Sequence, residues 1–141
     1  MRFVWVVLAG LVFSIGLARG ANASVLIAVD KSEQLMRVFV EDDLIYVWPV
    51  STGRDGYRTP PGSYQPYVLK RFHRSRKYDD APMPYSIFYR GGYAIHGTSS
   101  IRRLGSPASH GCIRLHMANA RELFDLVGYY GKDETRIVIR P

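Results

Sequence analysis

Only one segment of this chain has the apolar spacing of an α-helix, and it lies near the end, after Cys112. Five apolar side chains would share one face of that helix: Met117, Ala120, Leu123, Phe124 and Val127. Gly128 follows where a helix stop is expected. Most of the preceding chain consists of short apolar runs separated by turn residues, which is typical of β-strands. The sequence therefore predicts a compact, mostly β domain with one short helix after the cysteine.

The apolar runs predict strands over residues 24–30, 35–40, 44–50, 85–90, 93–96 and 135–139. Polar turns between the first three runs favour an antiparallel meander. Pro49 cannot donate to a strand ladder, so the third strand should end there or lie at a sheet edge. Gly91-Gly92 predicts a hairpin turn that brings His96 to a strand end.

Two segments have no regular pattern. Glycines and prolines recur every few residues over 51–62, which predicts an irregular loop. Aromatic and basic side chains crowd residues 64–84, and this segment either lines a groove or covers the sheet. No internal repeat divides the chain, so we expect a single domain.

The N-terminus resembles an export signal. Arg2 is followed by an uncharged, mostly apolar run over residues 3–18, and Ala21-Asn22-Ala23 supplies small residues at the spacing of a cleavage site. The run is shorter than the roughly 20 residues that cross a bilayer, which argues against the alternative of an uncleaved anchor. We expect a signal peptide over residues 1–23 and an exported, periplasmic domain over 24–141 with no stable membrane insertion after cleavage.

The charge of the predicted mature chain is positive. Without Arg2 and Arg19 it holds 17 Lys and Arg against 12 Asp and Glu, a formal charge of +5. Such a chain is attracted to anionic surfaces such as cell-wall polymers or lipid head groups. The basic residues are scattered and no nucleic-acid-binding motif is present, so we expect no nucleic-acid partner.

Cys112 is the only cysteine, so it cannot form an internal disulfide, and its thiol is either inert or reactive. A free thiol with a pKa of about 8.5 is mostly protonated at pH 7, and a nearby imidazole is needed to activate it. His96 and His110 are the two candidates for that base. Backbone N–H groups of Gly111 and Cys112 could stabilise an oxyanion.

A zinc site is the alternative use of these residue types. His96, His110, Cys112 and His116 are acceptable zinc ligands, but their spacing resembles no common zinc framework. We expect neither a metal nor another cofactor. His73 and His116 are interpreted as ordinary surface or core residues.

Two motifs carry a resemblance to a known family. His96-Gly97-Thr98 and the stretch Ser109-His110-Gly111-Cys112-Ile113-Arg114-Leu115 resemble the signature of the L,D-transpeptidase (YkuD-type) catalytic domain. Residues 49–53, 59–62 and 81–85 also resemble stretches that precede the catalytic histidine in that family. The resemblance spans nearly all of residues 24–141 and implies a β-sandwich or barrel.

The resemblance implies a mechanism. Cys112 would be the nucleophile and His96 the general base and acid, oriented by a backbone carbonyl of Gly97 or Thr98. The acyl donor would be a peptidoglycan tetrapeptide stem, which loses its terminal D-alanine as a Cys112 thioester forms at the third residue. An amine of a neighbouring stem would then resolve the thioester into an L,D (3-3) cross-link.

Four residues are predicted to bind substrate, and one of them departs from one form of the family pattern. Arg114 stands where one form of the family pattern has asparagine, and it could bind a stem carboxylate or anchor the loop. Ser109, Thr98 and Tyr93 are further candidates, with Tyr93 as a wall of the site. His110 could hold the turn or contribute to the acyl-binding site.

The sequence does not determine which acyl acceptor is used. Transfer to a stem amine, transfer to a lysine of a wall-anchored lipoprotein, and hydrolysis by water as an L,D-carboxypeptidase share one acyl-enzyme. A non-catalytic wall-binding module that retained the fold is the hypothesis from a different class. The two classes differ in whether Cys112 forms a covalent adduct.

Overall fold

The computed structural model describes residues 23–141, and the predicted signal peptide lies outside them apart from Ala23. The described strands are β1 (Val25–Asp30), β2 (Leu35–Val40), β3 (Asp43–Pro49), β4 (Gly62–Tyr64), β5 (Val68–Lys70), β6 (Ser86–Arg90), β7 (Tyr93–Thr98), β8 (Ile113–His116) and β9 (Thr135–Arg140). The helix α1 spans Met117–Tyr130, and short 3-10 turns cover Ile101–Arg103 and Lys132–Glu134. The predicted mostly β fold class with one α-helix after Cys112 is confirmed.

Five strands form the first sheet in the order β3-β2-β1-β9-β4. The predicted antiparallel meander of β1, β2 and β3 is confirmed. Strand β3 lies at the edge and ends at Pro49, as the missing proline N–H requires. The C-terminal strand β9 lies parallel to β1, with Val25 opposite Thr135.

Four strands form the second sheet in the order β5-β6-β7-β8. The hairpin between β6 and β7 turns at Gly91-Gly92, as predicted. Strand β8 lies parallel to β7, and Ile95 is opposite Ile113. The sequence did not predict β4, β5 or β8, because strands of three or four residues are too short to show an alternating pattern.

The main core combines alternate residues of both sheets with one face of α1. Its fully buried members include Ile27 of β1, Ile95 of β7, Ile113 of β8 and Leu123 of α1. Burial of each such side chain contributes about 1.5–3 kcal/mol. The predicted apolar face of the helix is confirmed, since Ala120, Leu123 and Val127 are buried.

The predicted helix stop at Gly128 is wrong. Helix α1 continues to Tyr130, and Gly131 ends it with a φ of +101°, its N–H donating to the Val127 carbonyl. Only glycine adopts such a φ readily, so the residue that must leave the helix is Gly131. Gly128 is an exposed residue inside the last helical turns.

Candidate active site

The register of β7 and β8 places the two candidate catalytic residues on one face of a sheet. Ile95 and Ile113 are partners across the two strands, and both are buried in the main core. Side chains alternate along a strand, so His96 and its partner Arg114 face the other side. Cys112 lies two residues before Arg114 and shares this face. The predicted base therefore lies on β7, and the predicted nucleophile directly precedes the neighbouring strand β8.

His96 is held in one orientation and is neutral at pH 7. The residue is 6% exposed, and its Nδ1 lies 2.8 Å from the Gly97 carbonyl oxygen. A carbonyl only accepts, so Nδ1 carries the proton and Nε2 keeps a free lone pair. Burial lowers the pKa of His96 to about 4, and this outweighs the bond to Gly97, which raises it.

Cys112 is partly exposed beside a small apolar cluster of Met83, Phe88 and Ala94. Its S–H points to the Gly92 carbonyl oxygen, at an Sγ–O distance of 3.8 Å. Burial raises the pKa of the Cys112 thiol, while the Ala94 N–H and the Arg114 charge lower it. Cys112 is therefore a protonated thiol at neutral pH, on the same face as a neutral imidazole.

The turn over residues 109–112 is tightly bonded within itself. The Ser109 hydroxyl donates to the Cys112 carbonyl at 2.5 Å and accepts from the Gly111 N–H at 3.0 Å. The Thr59 hydroxyl donates to the Gly111 carbonyl at 2.8 Å. Ser109 and Thr59 thus shape the turn, and the assignment of Ser109 to substrate binding stays a prediction.

Gly111 is required by both conformation and space. Its φ is +119°, and a Cβ there would lie 2.6 Å from Cε1 of Tyr93. The ring of Tyr93 therefore borders the turn directly, and its role as a wall of the site stays a prediction. Any larger residue at 111 would displace the turn that carries Cys112.

The predicted loop over 51–62 lies alongside this turn and supports it. The Thr52 carbonyl accepts from the N–H groups of Ala108 and Ser109 at 2.9 and 3.0 Å. The buried Gln34 side chain donates to the Thr52 hydroxyl and accepts from the Thr52 N–H. The loop is irregular, as predicted, but this buried hydrogen-bonding network holds it in place.

His110 lies between two tyrosines. Its ring stacks on Tyr78 at a centroid distance of 4.1 Å and meets Tyr57 edge-on at 4.7 Å. In the same segment as Tyr78, His73 meets Phe88 edge-on at 5.0 Å. The aromatic and basic segment over 64–84 thus lies against both the turn and the sheet beside Cys112. The aromatic and basic composition of this segment indicated that it lines a groove or covers the sheet. The contacts of Tyr78 and His73 were not predicted.

The remaining predicted residues lie at the other end of β7. Thr98 is opposite His116, and its hydroxyl accepts from the Ser100 N–H at 3.0 Å. Thr98 is therefore engaged in a local turn. His116 is exposed and caps α1, accepting from the Ala118 N–H at 3.1 Å, which agrees with its interpretation as an ordinary surface residue.

Within residues 23–141, no three His, Cys, Asp or Glu side chains are grouped as metal ligands. Helix α1 and the 3-10 turns of the same range include none that is long and apolar enough to cross a membrane.

Comparisons with known proteins identify the family. The family model of the L,D-transpeptidase catalytic domain (YkuD) matches residues 24–139. The chain is 27% identical to the protein named L,D-transpeptidase YkuD in Bacillus licheniformis, over 82% of this chain and 65% of that protein. The chain therefore belongs to the YkuD family of L,D-transpeptidase catalytic domains.

Solved structures share the fold. An L,D-transpeptidase from Stackebrandtia nassauensis superposes with a TM-score of 0.74 at 25% identity, over 84% of this chain and 56% of that one. An L,D-transpeptidase from Mycobacterium smegmatis gives 0.74 at 22% identity, over 84% and 59%. The chain spans less than two thirds of the length of each of these relatives.

Proposed function

We propose that this chain is an exported, periplasmic cysteine acyltransferase that acts on peptidoglycan tetrapeptide stems. The observation that carries the proposal is that His96 on β7 and Cys112, directly before the parallel strand β8, lie on one face of the second sheet, with His96 Nε2 free. Membership of the L,D-transpeptidase catalytic domain family supports the same reaction class.

The proposed reaction begins when His96 Nε2 takes the proton of the Cys112 thiol as the sulfur attacks the carbonyl carbon of the third stem residue. The tetrahedral intermediate collapses, the amide C–N bond breaks, and the imidazolium returns the proton to the leaving D-alanine amine. A thioester remains on Cys112. An acceptor amine then attacks the thioester, its proton passes to His96, and the restored thiolate is reprotonated.

An oxyanion forms in both halves of this reaction. We propose the backbone N–H of Cys112 as a donor, because the neighbouring Gly111 N–H already donates to the Ser109 hydroxyl. The Gly111 N–H is the second predicted donor, and it would have to exchange that partner for the oxyanion. Preorganised donors of this kind contribute about 100- to 1,000-fold each.

The proposed acceptor is the amine of a neighbouring stem, which produces an L,D (3-3) cross-link. Hydrolysis would instead give a shortened stem, and a wall-anchored lipoprotein would be joined through a lysine. Because the acyl-enzyme is common to all three, identification of the released products separates them.

Intact-protein mass spectrometry with a disaccharide-tetrapeptide tests the proposal. Wild-type protein is expected to gain the mass of the acyl donor less D-alanine, and Cys112→Ala to gain nothing. His96→Ala should be acylated about 100- to 10,000-fold more slowly, because it lacks the general base. His116→Asn is the matched control, since it removes an exposed histidine while keeping a helix-capping side chain.

Two results would redirect the assignment. If His96→Ala is acylated at the wild-type rate, His110 becomes the base. If folded wild-type protein forms no adduct and releases no D-alanine, while Cys112→Ala still binds cell-wall polymer, the chain is a wall-binding module.

A further inference from the structure

The loop over residues 51–62 places a second arginine, Arg54, beside the turn over residues 109–112. Ser51 and Arg114 exchange two backbone hydrogen bonds, at 3.1 and 2.9 Å. Three residues further on, the Arg54 N–H donates to the Ser109 carbonyl at 3.0 Å. Arg54 thus flanks one side of the turn over residues 109–112, and Arg114 follows the turn on the face of Cys112.

The side chain of Arg54 is directed by aromatic contacts. Its Cζ lies 4.7 Å from the centroid of the Tyr57 ring, and Tyr57 in turn meets the ring of His110. The charges of Arg54 and Arg114 both lower the pKa of His110, after the larger effect of burial. Both arginines thus border the same turn, and both charges act on His110.

Neither guanidinium has a carboxylate partner among residues 23–141. The ion pairs among residues 23–141 join Arg37 to Glu33, Arg74 to Asp80 and Arg140 to Asp30. Arg114 is half-buried and lies near a second positive charge, which costs free energy unless an anion compensates it. The positive charge beside Cys112 is thus left for a group from outside the chain.

We propose that Arg54 and Arg114 together bind a carboxylate of the acyl donor. The inference rests on the proposed function, and it adds Arg54 as a specificity-determining residue. Guanidinium groups bind carboxylates through paired, charge-assisted hydrogen bonds. Because Arg114 shares the face of Cys112, the bound carboxylate lies near the scissile carbonyl. It belongs either to the leaving terminal residue or to a side chain of the residue that is acylated.

Three synthetic tetrapeptide donors distinguish these sources: the free acid, the C-terminal amide, and a donor with the third-residue side-chain carboxylate amidated. Acylation rates are measured by intact-protein mass spectrometry on wild type, Arg54→Gln, Arg54→Lys and Arg121→Gln. Arg121 is an exposed arginine of α1, so its variant controls for the loss of one positive charge. Thermal unfolding confirms that each variant is folded.

Wild-type protein is expected to react about 10-fold more slowly with the amide that removes the bound carboxylate. Arg54→Gln should react with the acid as slowly as wild type does with that amide, and should no longer distinguish the two donors. Arg54→Lys should retain part of the preference, and Arg121→Gln all of it. The amide that shows the effect identifies which carboxylate is bound.

Equal rates for all three donors, or an unchanged preference in Arg54→Gln, would overturn this inference and leave the proposed function standing. Absence of any adduct would instead count against the proposed function. Calorimetric binding of the three donors to Cys112→Ala then tests the carboxylate site without the reaction. Binding of the acid and both amides with equal affinity would overturn the inference there too.

Discussion

Burial sets the protonation states of the two candidate catalytic residues. It lowers the pKa of His96 to about 4 and raises that of the Cys112 thiol. Both effects favour the neutral form, because a charge is poorly solvated away from water. The candidate nucleophile is therefore held as a thiol, and we expect proton transfer to accompany attack on the substrate instead of preceding it.

The neutral, buried His96 makes stability depend on pH. In the unfolded chain His96 has the ordinary pKa of 6.5, so between pH 6.5 and 4 the unfolded state binds more protons than the folded state. The free energy of unfolding should therefore fall by about 2 kcal/mol from pH 7 to pH 5 through His96 alone. Urea denaturation at the two pH values measures this loss.

The matched variant for this prediction is His96→Asn, which cannot take up the proton. The pKa values of His73 and His110 are also lowered, mainly by burial, and both residues remain in the variant. The difference between wild type and variant therefore isolates His96. An equal loss of stability in both proteins would show that His96 is not held neutral in the folded state.

The position of β7 depends on its close contact with helix α1. A Cβ on Gly97 would lie 2.9 Å from Met117 Sδ and 3.2 Å from the Ala120 Cβ. Glycine at 97 thus lets the helix lie directly against the strand that carries His96. The same residue supplies the carbonyl that orients the His96 ring. Gly97 therefore allows close packing of α1 on β7 and also orients the His96 side chain of the candidate site.

Two glycine-to-alanine substitutions should have opposite effects on stability. Gly97→Ala should lower the free energy of unfolding by about 1–3 kcal/mol, because the added methyl overpacks the interface between strand and helix. Gly128→Ala should raise it by about 0.5–1 kcal/mol, because nothing lies near its Cβ position and alanine favours the helix. Denaturant titrations of both variants check the signs. A stabilised Gly97→Ala protein would contradict the close contact between β7 and α1.

The two ends of the described chain meet inside one sheet. The C-terminal strand β9 lies between β1 and β4, and its residues Thr135, Ile137 and Ile139 are buried. In the described part of the chain, strand β4 pairs with the first sheet through β9 alone. The first sheet therefore cannot be completed until β9 is in place.

Truncation after Glu134 should abolish cooperative unfolding, since it removes a central strand and detaches β4. Thermal unfolding followed by near-ultraviolet circular dichroism measures the effect. Removal of Pro141 alone is the control, because it is an exposed residue beyond β9 and its loss should change the melting temperature little. A cooperative transition in the longer truncation would mean that the second sheet and α1 form a folding unit without β9.

Local sequence determined much of this protein. Apolar runs between turn residues predicted β1, β2, β3, β6, β7 and β9, and helical spacing predicted the buried face of α1. The family motifs around His96 and Cys112 predicted the candidate nucleophile, base and fold. These features could be predicted from the sequence because strand, helix and turn preferences depend on residues close together in the chain.

Other features were decided only by the tertiary structure. The parallel pairing of β7 with β8 places Cys112 on the same face of the second sheet as His96, and Tyr78 stacks on His110 in the turn that leads to Cys112. The sequence did not indicate Arg54 as a site residue, because only the folded loop brings it next to Ser109. Burial, which sets the pKa values of His96 and Cys112, is likewise a property of the assembled core. Contacts between distant residues leave no local periodicity, so only the folded chain determines them.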